Sequence, residues 1–146
     1  MLTIPRDRST VDSIQDLLSE LFGARDTLGA AAEVLADADD RYICRKLSFQ
    51  LGGYAADLQQ IVSASGVQPA GPRSDHDARQ SLSSIQKHIG PNGVLDTAEQ
   101  TEQMLTEKYE QTMGHLNDPE VTGLLERQRE DVEFGDRILR RLKASA

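Results

Sequence analysis

The 146-residue chain has one cysteine, no tryptophan, and only three Phe and three Tyr. A lone Cys44 cannot close an internal disulfide, so no covalent staple is available and a reducing, cytoplasmic setting is expected. With so few aromatics the core must be built from Leu, Ile, Val and Ala. That is feasible, because a globule of this length buries roughly 68–70% of its extended surface. The opening MLTIPRDRST has no apolar run of signal-peptide length, and no segment reaches the roughly 20 apolar residues of a membrane span. Positive charge is also short: 16 Lys and Arg against 24 Asp and Glu leave a net charge of -8. An acidic surface repels phosphate backbones and anionic lipid, so neither nucleic acid nor a membrane is expected as a partner.

Strand patterning is scarce too. Apolar residues recur at intervals of three and four rather than two, which predicts an all-α protein. The first helix is expected from Ser9 or Thr10 to about Leu35, with a weak capping box of Ser9 and Asp12. Its apolar seam is Val11, Ile14, Leu18, Leu21, Leu28, Ala32 and Leu35. Asp37 can cap a second helix, with Asp40 in its first turn and a seam of Cys44, Leu47, Leu51, Tyr54, Leu58 and Ile61 ending at Gly66. GVQPAGPRS reads as a loop. A short helix capped by Ser74 follows, carries Leu82, Ile85 and Ile89, and ends at GPNG. A third long helix is expected from about Gly93 to Leu116, through Leu95, Ala98, Leu105, Tyr109, Thr112 and Leu116. Asp118-Pro119 starts the fourth, which runs to about Leu142 through Leu125, Gln128, Val132 and Leu139.

The links inside the first and second helix pairs are short, so each pair should be an antiparallel hairpin. The link between pairs, residues 66–93, includes its own helix of about 24 Å, close to the bundle length. Such a crossover returns the chain along the bundle and makes the two middle helices parallel. One long crossover is the topology of ferritin-like four-helix bundles. The expected organisation is one such domain over residues 1–146, with a flexible arm at 1–8 whose Leu2 and Ile4 can pack on the bundle end or a second subunit.

AAAEVLADADD in the first helix, YAADLQQIV in the second, AEQTEQMLTEKYEQTM in the third and LLERQREDVEFGDRILRRL in the fourth carry a resemblance. With these stretches the chain resembles the bacterial ferritin-like four-helix-bundle proteins grouped as domain of unknown function 2383. The resemblance implies a fold and lends no reaction. In that family a carboxylate often stands where this chain has Arg25, and a histidine often precedes DRI where this chain has Gly135.

A di-iron carboxylate centre needs a Glu on each of two helices and Glu-x-x-His on each of the other two. The three histidines, His76, His88 and His115, are preceded at three residues by Arg73, Ile85 and Thr112, so the motif does not occur. The second helix has no Glu, and its Asp57 stands outside the seam. No complete di-iron site, no cofactor and no enzymatic activity are therefore expected.

Arg25 interrupts the first seam, at the place between Leu21 and Leu28 where an apolar residue is due. It lies about 15 residues, roughly 22 Å, into its helix, and Glu102 comes to nearly the same height on an antiparallel neighbour. Gly135 and Gly52-Gly53 reach that height as well. The expectation is a core polar layer in which Arg25 pairs with Glu102, Glu99 and Gln128 stand one turn away, and Gly135 leaves room for the guanidinium. The alternative is that Arg25 snorkels, its stem in the seam and its head in solvent.

Cys44, Tyr54 and Tyr109 fall on seams and are expected as core residues, the tyrosines with hydrogen-bonded hydroxyls. Glu126, Glu130 and Glu133 alternate with Arg127, Arg129 and Arg137 as a solvated ion-pair face or the polar rim of an interface. Gly52-Gly53 suggests a close helix approach, a kink or a dimer contact.

The expected function is that of a non-catalytic structural or protein-interaction module, as a homodimer or with another protein. One rival is a metal-binding oxidoreductase or metal store using a lopsided cluster of Glu33, Glu99, Glu102 and Glu126. Another is a carrier that holds a small anion on Arg25.

Overall fold

The computed structural model of the chain describes residues 8–72 and 76–145. Of the expected arm 1–8, Arg8 already belongs to the first helix, and the remaining seven residues, like the Ser74 cap, lie outside the described residues. Five helices and no strand occur among them: α1 (Arg8–Val34), α2 (Ala38–Ala64), α3 (His76–His88), α4 (Pro91–Gly114) and α5 (Pro119–Ser145). The all-α expectation holds, and no described helix is long and apolar enough to cross a membrane.

The helix ends follow local chemistry. Asp37 accepts the backbone N–H of Asp40 at 3.0 Å and so caps α2. Asp118 accepts the N–H groups of Glu120 and Val121 at 3.0 and 3.3 Å, ahead of Pro119. Two expected starts move. Ser9 lies already within α1, so the Ser9–Asp12 box is not a cap. The helix expected from Gly93 begins at Pro91, where a missing N–H costs nothing, preceded by Gly90 at φ 105°, a left-handed conformation that favours glycine.

The apolar seams meet as a single core. Ile14, Leu18, Leu21, Leu28, Leu51, Leu58, Leu95, Leu105, Val132 and Leu139 are all at most 2% exposed. Each such side chain contributes about 1.5–3 kcal/mol on burial. The short helix contributes Leu82 and partly buried Ile85, but Ile89 is not a seam residue: it is 71% exposed, past the last turn of α3. Its methyl instead closes over the first turn of α4, where a Cβ at Gly93 would stand 2.7 Å from it.

Side-chain pairings fix the helix directions. A Cβ at Gly29 would stand 3.3 Å from Ser48 Oγ and one at Gly52 3.4 Å from Arg25 Cδ, so later α2 residues meet earlier α1 residues and α2 runs antiparallel to α1. Asp96 meets Lys143, Glu99 meets Arg140 and Tyr109 meets Gln128, so α4 and α5 are antiparallel. Tyr54 meets Asp131 and Asp57 meets Gln128, which sets α5 antiparallel to α2. Residues 9–16 share a groove with 108–115, and 19–27 share one with 101–105, making α4 antiparallel to α1. It follows that α2 and α4 are parallel, with α3 lying against α1 and α4.

Candidate functional site

The middle of the bundle gathers the polar residues that the seams should exclude. Glu99, Glu102, Gln128 and Asp136 are buried, at 6%, 1%, 2% and 9% exposure. Arg25 and Glu102 do come to the same level, as the helix lengths require, but they do not pair. Nε and Nη2 of Arg25 both donate to Oδ1 of Asp26, at 3.1 and 2.8 Å. The guanidinium stands 4.9 Å over the Phe22 ring, and the side chain is 30% exposed. The expected Arg25–Glu102 pair is thus replaced by something close to the snorkelling alternative. The reason is energetic: an acid one residue away neutralises Arg25 at the bundle edge, so the guanidinium escapes the desolvation an inward position would impose.

The space at Gly135 goes to Glu102 instead of the guanidinium. A Cβ at Gly135 would lie 2.9 Å from Glu102 Oε2 and 3.1 Å from Leu47 Cδ2, so the carboxyl fills the volume a larger residue would occupy. Neither oxygen of Glu102 has a hydrogen-bond partner among the described residues. Burial, with the nearby Asp136 adding to it, pushes its pKa up to about 8. At neutral pH the group is a carboxylic acid rather than a carboxylate, because desolvation penalises the charged form.

Glu99 lies in the opposite regime. Its Oε1 accepts from Lys143 Nζ at 2.6 Å, and its Oε2 accepts from Arg140 Nε at 2.9 Å and Gln103 Nε2 at 3.2 Å. The Lys143 hydrogen bond first, and the Arg140 bond against the opposing effect of burial, hold its pKa below the usual carboxylate range. Lys143 also binds Asp96 at 2.9 Å and Arg140 binds Asp136 at 2.7 Å. This clamp was not expected from the sequence. Its signal was there in two spacings of three: Asp96 and Glu99 on α4 oppose Arg140 and Lys143 on antiparallel α5.

Gln128 belongs to a third group. It accepts from the buried Tyr109 hydroxyl at 2.7 Å and donates to Asp57 at 3.5 Å, while half-buried Tyr54 donates to Asp131. Tyr109 takes the expected hydrogen-bonded core role, whereas Tyr54 keeps its hydrogen bond but only packs against the edge of the core; burial raises the pKa of each. Cys44 is fully buried, and burial, then Asp40 and Glu102, push its thiol to about 12. Such a thiol is inert, since the thiolate is the reactive form.

The four-carboxylate cluster is not assembled. Glu33 sits on the surface, paired with Arg79 of α3 at 2.8 Å, and Glu126 is exposed on α5. Among the described residues no three His, Cys, Asp or Glu side chains are placed together to hold a metal ion. The α5 ion-pair face appears in part, as Arg129–Glu133 at 3.6 Å, while Arg137 stands over the exposed Phe134 ring at 5.7 Å. What the site can do chemically is hold a proton on Glu102 and hold α4 to α5 through the Glu99 clamp. Compared with known proteins, the chain matches no protein-family model, and no curated protein matches it.

Proposed function

We propose that the chain is a ferritin-like bundle of the kind grouped as domain of unknown function 2383, acting as a non-catalytic structural or protein-interaction module in the cytoplasm. Parallel α2 and α4 joined through a crossover helix support the bundle type. The buried, free Cys44 accords with a reducing compartment. The observation that carries the reading is the state of the core acids. Glu99 is already neutralised by two cations, and Glu102 is held protonated against Gly135. Neither side chain is free to bind a cation: Glu99 would have to give up its cations, and Glu102 its proton. The anion-carrier reading loses its anchor for a similar reason, because Asp26 occupies the fork of Arg25.

The test is elemental analysis of protein purified from medium supplemented with iron and manganese. The expected result is a folded chain with far less than one equivalent of either metal. One or more equivalents per chain, lost in Glu99→Gln or Glu102→Gln, would refute the reading.

A further inference from the structure

The outer face of α2 presents Tyr42, Phe49, Gly53, Ala56 and Gln60, spaced by seven, four, three and four residues, and all are exposed. That spacing places them on one face of the helix. Tyr42 is 60% and Phe49 86% exposed, in a chain that has only six Phe and Tyr. Gly53 sits in mid-helix, where glycine weakens the helix, and a Cβ there would meet nothing within 4 Å. Packing inside the chain gives no reason for this glycine. An outward groove next to an outward aromatic knob does.

We infer that this face is the interface of a two-fold dimer, with α2 antiparallel to α2 of a second copy and Phe49 of each chain seated over Gly53 of the other. The face is complementary to itself in that arrangement and in no parallel one. With the axis midway between positions 49 and 53, Tyr42 faces Gln60 of the second copy, and Phe49 lies beside its Ala56. Charge agrees with shape. Lys46 and Asp57 are both exposed on the same flank of the stripe, the flank toward α5 where Asp57 reaches Gln128. A two-fold axis across the helices keeps flanks together, so Lys46 of one copy comes beside Asp57 of the other, twice. Among the described residues Lys46 has no acid within ion-pair distance, and the carboxylate of Asp57 accepts only the 3.5 Å contact from Gln128. On α5, Phe134 is 58% exposed, and the Tyr54–Asp131 pairing sets it level with position 51, at the height of the axis.

The inference rests on the interaction-module reading and specifies its partner as a second copy of this chain. Sedimentation velocity of the full chain, from micromolar to about 0.5 mM, covers the affinities expected of a specific interface. Wild type should shift from the 16.1 kDa monomer to twice that mass. Phe49→Glu and Lys46→Asp, both at exposed positions that leave the core untouched, should each weaken association at least about tenfold, as loss of a central aromatic or reversal of a charge pair does. Lys46→Asp combined with Asp57→Lys should recover the dimer, an outcome a merely structural role for these residues would not give. A monomeric wild type, a dimer indifferent to Phe49→Glu and Lys46→Asp, or a folded double swap that stays monomeric would each overturn the inference. A metal-free monomer would do so while sparing the module reading, whereas a metal-loaded chain would sink that reading whatever its mass.

Discussion

Replacing Glu102 by Gln tests the central feature of the core. In the unfolded chain this carboxyl ionises at about 4.5, and in the fold at about 8. Between those values the native state keeps a proton that the unfolded state has released. Raising pH across this window therefore favours unfolding, and the stability of the protonated state is fully present only below about 4.5. At about 1.36 kcal/mol per pKa unit, the loss amounts to about 3 kcal/mol at pH 7 and about 5 kcal/mol by pH 9. That is a large part of the about 5–15 kcal/mol typical of a folded domain. Glu102→Gln keeps the shape, cannot ionise, and should show no such loss. Urea unfolding followed by far-UV circular dichroism, a probe suited to a helical chain without Trp, would be run on both proteins from pH 4 to 9. The variant should gain on wild type steadily as pH rises. Burial also raises the pKa of Asp40 and Asp136, which adds a slope of the same sign to both proteins, and subtraction removes most of it. A stability difference that stays within about 0.5 kcal/mol across pH 5–9, near the scatter of additive effects, would refute the buried protonated acid.

Gly135→Ala should lower stability by about 1–3 kcal/mol, as overpacking beside Glu102 and Leu47 outweighs the helix-propensity gain, while Gly23→Ala, with nothing within 4 Å, should raise it by about 1 kcal/mol; chemical denaturation of both checks the contrast. Cys44 should resist iodoacetamide at pH 8 in the folded chain and react fully in urea, read by mass spectrometry, because burial holds the thiol near 12. Tyr109→Phe should cost about 1–2 kcal/mol by leaving Gln128 Oε1 without its donor in the core, again measured by denaturation. Glu99→Gln should flatten the acid limb of stability: the lowered pKa of Glu99 gives stability that is present above its unfolded value and lost as pH falls through the folded one, so the variant and wild type should converge at low pH.

Much of the architecture was legible in the chain because apolar periodicity survives any detail of packing. All seven residues of the first seam, from Val11 to Leu35 just past the end of α1, are buried where the spacing of three and four put them. Relative height was legible as well, since rise per residue is fixed: Gly52 faces Arg25 and Gly135 faces Glu102. Azimuth was not. Arg25 and Glu102 share a level, yet one turns to the α1–α2 edge and the other toward α5. Seam spacing does not record such a choice when a flexible side chain has a closer acid in Asp26. The Glu99 clamp was missed because Arg140 and Lys143 look like ordinary surface cations until the α4–α5 alignment sets them against Asp96 and Glu99.

The fit between Glu102 and Gly135 also bears on which alignments of α4 and α5 can exist at all. Sliding α5 by one turn in either direction would present Asp131, Val132, Ile138 or Leu139 to the carboxyl, and none of these leaves the hollow it occupies. A greasy interface alone would tolerate such slippage, since one leucine replaces another. Here a single missing side chain acts as a keyhole, and the acid that fits it makes the slipped bundles collide.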